Sequence, residues 1–375
     1  MESKKRCGIV YNANHIVHRS EMSSPENPTR LIKIMNFFQG RLKLFDRSDC
    51  QLITEYAPAS DEDLVRVHDM GYVNFIRNYC QKGGGFLGDS TYIAPNTFKA
   101  AASSAGAVME ANKLVANGSL DSAFAIVRPP GHHASMDKFG GYCIFNNAAI
   151  ASRYLQKLGL AEKILIVDID AHAGNGTMRI FYEDPTVLNL SVHRDPHDFY
   201  PHDGFIHQIG KGKGRGYNIN VEVPEGSGDD EYLMILENII RPVARCYAPD
   251  YVMCLVGFDA HYTDNQSNLQ LTSNGYYEFV KRLKSLNNGK LCVVLEGGYN
   301  TVENVNLAHT IVYSLLGEPA PYDDKMDGLS SVLTRNIKTR SILENKMLEI
   351  IDVLGDYYDF NQEKILSGKQ ENNNG

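Results

Sequence analysis

The sequence predicts an α/β protein built on a mostly parallel sheet of strands with helices on both faces. Three observations carry that expectation. Short aliphatic runs alternate with amphipathic stretches of helical length. No Ser/Pro-rich linker divides the 375 residues. Four of the aliphatic runs end in clusters of Asp, His, Gly and Tyr, the placement expected where strands deliver ligand-binding loops to one edge of an open sheet. In chain order, strands are predicted at Ala123–Val127, Ile164–Val167, Val187–Val192, Tyr251–Val256 and Leu291–Leu295. Helices are predicted at Thr97–Ala116, Asn146–Lys157, Asp230–Cys246 and Gly275–Leu286, with a further one at Ser341–Tyr358. Residues 369–375 read as a frayed tail, and residues 1–375 as one domain.

Hydrophobic residues make up 43% and charged residues 22%, a composition able to bury a large core. The net charge is −8 with acids and bases interspersed, which argues against nucleic acid as the partner. No apolar run approaches the roughly 20 residues that span a bilayer, and the N-terminal residues lack an apolar signal-peptide core. The seven cysteines show no CxxC spacing, so neither a disulfide framework nor a zinc ribbon is expected. The expected location is the cytoplasm.

The segment ILIVDIDAHAGNGT (164–177) holds the strongest chemical signal. Asp168, Asp170 and His172 fall on alternate positions, so an extended chain aims them at one spot. Strand-end aspartates often cap helices instead. Capping does not explain why three other runs lead into RPPGHHAS (128–135), GFDAHYTD (257–264) and EGGYN (296–300). Together these ends place His132, His133, Asp168, Asp170, His172, Asp259 and Tyr299 near one crevice. Asp170, His172 and Asp259 offer two carboxylates and one imidazole, which suits a catalytic zinc with an open position. Fe2+ or Co2+ would also tolerate this set. His132 and His133 could share general base and acid duties near neutral pH. Tyr299, freed by Gly297-Gly298, could donate to an oxyanion.

RPPGHHA (128–134), GGYCIFNNAAIA (140–151), DIDAHAGNGT (168–177), GFDA (257–260) and LEGGY (295–299) resemble the ordered motifs of the histone deacetylase superfamily, which includes acetylpolyamine amidohydrolases and acetoin-utilisation proteins. The resemblance spans about 11–317. SPENPTR (24–30) and DSTYIAPNT (89–97) are similar to entrance loops of the class II-like branch. It implies an arginase-like fold with about eight parallel strands and a zinc-dependent deacetylase acting through a metal-activated water. Zinc would sit on Asp170, His172 and Asp259, with His133 as base and acid, Asp168 orienting His132, and Asn175 holding His133. Tyr142 and Tyr200 would flank the acyl-lysine methylenes, and Gly141 would accept the substrate amide N–H. A K+ or Na+ is implied near Asp168, Asp170, His172, Ser191 and Val192, and a second near Phe181, Asp184, Val187 and Tyr217. Arg30 would line an internal channel. Relatives of this size are often oligomers.

Departures from the family pattern are visible. Ala173 replaces a common histidine, and AHYTDNQS (260–267) lacks the usual Gly-Asp-Pro. Gln266 stands where polyamine-selective relatives carry an acidic gatekeeper, which favours acylated lysine in a protein or peptide over a small acylated amine. A two-manganese ureohydrolase would need an aspartate at Gly174 and an acid at His261, and both are missing. A catalytically silent acyl-lysine binder would be expected to lack a ligand, a tandem histidine or the tyrosine, and none is lost. Gly210–Gly216 lacks the Gly-Lys-Ser/Thr ending of a phosphate loop and reads as a basic surface loop. His193, His197, His202 and His207 read as surface or rim residues.

Overall fold

Eight strands form the central sheet of the computed structural model, which describes residues 6–20, 23–324 and 337–360. In chain order the strands of the protein are β1 (Cys7–Val10), β2 (Cys50–Ile53), β3 (Gly85–Gly88), β4 (Thr91–Ile93), β5 (Ser122–Ala125), β6 (Ile164–Asp168), β7 (Val187–Arg194), β8 (Asn218–Val223), β9 (Tyr251–Val256) and β10 (Leu291–Leu295). The sheet order is β2-β1-β5-β10-β9-β6-β7-β8, and every neighbouring pair is parallel. Strands β3 and β4 form a separate antiparallel hairpin.

The continuous apolar runs follow from burial on both faces. Leu165 and Val167 join one hydrophobic cluster with Val252, Cys254 and Val256, while Ile164 and Ile166 join the other with Tyr251, Met253 and Leu255. Alternate side chains thus feed opposite layers, as a strand's two-residue period requires. Helices including Thr97–Ala116, Asn147–Lys157, Ser273–Leu286 and Glu303–Leu316 cover the sheet. No helix of the described residues is long and apolar enough to cross a membrane.

The sheet and its parallel sense agree with expectation, with some boundaries moved. The first predicted strand lies at Ser122–Ala125, although Ile126 still donates to the Val10 carbonyl at 3.0 Å. The predicted helix over Asp230–Cys246 is interrupted by a five-residue π-turn at Leu236–Ile240. Pro242 stands two residues beyond; it cannot donate an amide hydrogen to the preceding turn, and the helix widens there. The C-terminal helix runs over Ile337–Leu354, not 341–358, and stops before Gly355. Its Leu343, Met347, Ile350, Ile351 and Leu354 form a buried stripe. The tail at 369–375 lies outside the described residues.

Candidate active site

Strands β5, β10, β9 and β6 are consecutive neighbours. Their carboxyl ends therefore bring the loops beginning at Ile126, Glu296, Gly257 and Ile169 to one edge. Six of the seven residues predicted to converge lie on these four loops, and Asp168 is the last residue of β6.

Asp170, His172 and Asp259 each offer a ligand atom, and these atoms all lie within 4.8 Å of one another. His172 Nδ1 is 3.1 Å from both Asp170 Oδ1 and Asp259 Oδ2. Backbone amides fix the carboxylates: Gly297 N–H donates to Asp170 Oδ2 at 2.8 Å and Ala171 N–H to Asp259 Oδ1 at 3.1 Å. Burial, followed by the charge of Asp170, lifts the Asp259 carboxyl to about 6. Burial alone would lower His172, but its bonds to the two carboxylates raise it to about 9. Among the described residues no lysine or arginine pairs with either carboxylate. Glycine shapes the cradle, because a Cβ at Gly257 or Gly297 would run into the carboxylates of Asp170 and Asp259. This buried donor set fits a divalent cation.

The tandem histidines stand beside it, with ring centroids 4.0 Å apart. His132 Nδ1 lies 2.9 Å from Asp168 Oδ2. Burial disfavours its charge, but Asp170 and Asp168 overcome this and raise the imidazole to about 10. His133 Nδ1 lies 2.8 Å from Asn175 Oδ1, at the start of the helix Asn175–Phe181. Burial and the neighbouring His132 hold His133 well below the usual imidazole range. An amide oxygen only accepts, so Nδ1 of His133 carries the proton and Nε2 keeps a lone pair.

Tyr299 is held by its backbone N–H, which donates to Asp264 Oδ2 at 2.6 Å. Its ring lies 5.2 Å from the Arg30 guanidinium and 5.7 Å from the Tyr142 ring. Arg30 is fully buried below and donates to the carbonyls of Gly298 and Glu296, each at 2.6 Å. Tyr200 meets His133 edge-on at 5.0 Å. Gly141 adopts φ +49°, and a Cβ there would strike the His133 ring. Gln266 is exposed; its side-chain amide donates to Asn265 Oδ1 and its backbone N–H to Asp264 Oδ1, each at 3.1 Å. The Asp168 and Ser191 backbones pair across β6 and β7. Asp184 is bound by Arg153 and Thr186, and the Phe181 ring lies under Arg153. Val192 and Val187 are buried strand residues, and the Tyr217 carbonyl accepts from Asn189.

Sequence reasoning passed over Phe199, which stacks on His172 at 4.6 Å. It placed Asp89 in an entrance loop but gave it no role of its own; at the tip of the β3–β4 hairpin, its carbonyl accepts the Gly141 N–H at 3.0 Å. Asp89 and Ser90 have φ of 48° and 56°, a turn usually marked by Asn-Gly or Asp-Gly, so the signal was faint. His193 is a correction: β7 extends to Arg194, and His193 is fully buried, bonded to Ser191 Oγ and the Gly204 carbonyl. His197, His202 and His207 are exposed as expected. Lys211, Lys213 and Arg215 of the glycine-rich segment are exposed too.

Comparisons with known proteins agree with this geometry. The histone deacetylase domain family matches residues 24–316. A probable deacetylase of Archaeoglobus fulgidus is 38% identical over 78% of this chain and 81% of its own. Histone deacetylase HDA1 of Saccharomyces cerevisiae is 34% identical over 88% of this chain, which spans half of that longer protein. The HD domain of HDA15 superposes with a TM-score of 0.85 at 28% identity, covering 100% of this chain and 99% of that one. The chain has the arginase-like α/β fold and belongs to the histone deacetylase family.

Proposed function

We propose that this chain, as one catalytic unit, is a zinc-dependent amidohydrolase that removes acetyl or another short acyl group from the ε-amine of lysine. The observation that carries the reading is a pair of imidazoles with ring centroids 4.0 Å apart beside the buried cluster of Asp170, His172 and Asp259, with which no lysine or arginine of the described residues pairs. Asp170, His172 and Asp259 would hold zinc, with Fe2+ or Co2+ as chemical alternatives. When bound, the metal supplies Lewis-acid polarisation and an acidified water.

The chain's own groups do the rest. His133 Nε2 takes the proton of the attacking water and returns it to the departing amine. His132, held cationic by Asp168 and Asp170, favours negative charge developing beside it. The Tyr299 phenol donates to the acyl oxygen as it becomes an oxyanion. Tyr142 and Tyr200 flank the lysine methylenes, and the Gly141 carbonyl accepts the substrate N–H. The parallel pairing of Asp168 with Ser191 supports the nearer K+ or Na+ site, the outer one being formed by Phe181, Asp184, Val187 and Tyr217. Gln266, neutral and exposed, offers a polyamine no charge partner, which supports an acyl-lysine protein or peptide as substrate in the cytoplasm.

The test is a side-by-side assay of the zinc-loaded protein on acyl-lysine peptides and acetylpolyamines. Peptides are expected to turn over with the higher kcat/KM. Turnover of neither class overturns the reading. Tyr299→Phe should lower kcat by about 100-fold with little change in KM.

A further inference from the structure

Three loops of the site meet at one residue that the mechanism leaves unused. Glu296 follows β10, and its N–H donates to the Val256 carbonyl at the end of β9 at 2.9 Å. Its own carbonyl accepts from Arg30, which also holds the Gly298 carbonyl in the Tyr299 loop. Its side chain reaches the third loop: Oε2 accepts the N–H groups of Gly131 at 2.7 Å and His132 at 3.2 Å. Oε1 has no partner, and the residue is fully buried.

A buried carboxyl with an unpartnered oxygen is expensive, and packing alone would be served by an apolar side chain of the same volume. Its position explains the retention. The loop has left the β5 ladder at Pro129-Pro130, so its next two N–H groups have no strand to receive them. On the other side Gly131 is pressed against the backbone of Phe145 and Asn147, leaving no room for a Cβ. A ring nitrogen of His132, Cys143 Sγ and a Glu296 carboxylate oxygen lie within 4.8 Å of one another, so the anchor adjoins the imidazole it supports.

We propose that Glu296 is a positioning residue, stapling the tandem-histidine loop to the Tyr299 loop through its two accepted N–H bonds. The inference rests on the hydrolase reading above for its effect on rate, but not for its structural content. Two substitutions separate acceptor from volume. Glu296→Gln keeps an acceptor oxygen, and Glu296→Leu fills the space without one.

Glu296→Leu is expected to lower kcat on an acyl-lysine peptide by about 10-fold or more, with KM within about two-fold and one zinc per chain retained. Glu296→Gln should keep kcat within about three-fold of the parent. Amide hydrogen exchange at Gly131 and His132 should accelerate in the Leu variant and stay slow in the Gln variant. Equal loss of kcat in both variants, or unchanged exchange in the Leu variant, overturns the proposal. If the parent protein turns over no substrate, the hydrolase reading fails while the exchange measurement still decides this one. Should Glu296→Leu fail to fold, the shorter Glu296→Ala is read by the same exchange and kcat criteria.

Discussion

Glu26 and Asp259 are both carboxylates without solvent exposure, yet their surroundings treat them in opposite ways. Glu26 accepts from Arg128 Nε at 2.6 Å and Nη2 at 2.8 Å, and from Arg30 at 3.2 Å. Burial opposes its charge, but Arg128 and then Arg30 hold the carboxyl down at about 2. Asp259 has one imidazole and an amide for company, and burial with Asp170 pushes it up to about 6. A closed ion-pair cluster is scaffold; a buried carboxylate pair with no lysine or arginine partner among the described residues fits the cation proposed above. Arg30 ties the Glu26 cluster to the loop that carries Tyr299, bonding Glu26 on one side and the Glu296 and Gly298 carbonyls on the other.

That contrast can be broken by experiment. Asp259→Asn should reduce turnover by more than about 100-fold, beyond the usual cost of losing an outer-shell partner of a metal ligand, and zinc per chain should fall well below one by atomic absorption. The same variant should leave the stability of metal-free protein unchanged or higher, since it relieves repulsion. Glu26→Gln should instead cost about 3–5 kcal/mol in urea unfolding, because it leaves Arg128 buried without its counter-charge. Equal stability losses in the two variants would abolish the distinction.

Smaller effects sharpen it. Asn175→Asp should move the acid limb of the pH–rate profile upward by about one unit, because a carboxylate beside His133 Nδ1 favours imidazolium; an unmoved limb would remove Asn175 from control of that base. In the scaffold cluster, His15 and His18 are both lowered to about 3, burial being the main cause. The unfolded chain protonates them below about 6.5 while the native chain does not. Stability is therefore complete above that pH and falls between 6.5 and 3, by about 1 kcal/mol for each group at pH 5.5. Glu26 is lowered too, so the unfolded chain again binds its proton first, and this group adds its own loss of stability only below about 4.5. A melting temperature flat from pH 7 to 5.5 would contradict the buried neutral state of both histidines.

The convergence of Asp170, His172 and Asp259 with the tandem histidines was legible in the sequence because these residues sit within short motifs at strand ends, where a two-residue period already fixes their direction. The Glu26–Arg128 pair was not, since 102 positions separate its members and the motifs that contain them do not show that these two side chains meet. Strands β1 (CGIV) and β2 (CQLI) escaped notice because a Gly and a Gln interrupt their short apolar runs. Strand β8, NINVEV, buries asparagines and a glutamate at the sheet edge. Only tertiary partners such as Lys346, which pairs with Glu222, make that sequence read as a strand. His193 was misplaced for a related reason: two residues more of β7 turn a loop histidine into a core one.

The strand order also constrains how the protein is assembled on a ribosome. Strand β10 slots between β5 and β9, and 165 positions separate Gly131 from the carboxylate that receives its amide. The tandem histidines are synthesised early and wait on an open edge until that late strand inserts and seals the crevice. Such non-local closure is slow. Until β10 inserts, the half-built sheet presents two unpaired strand edges, the state in which a folding chain is most open to aggregation.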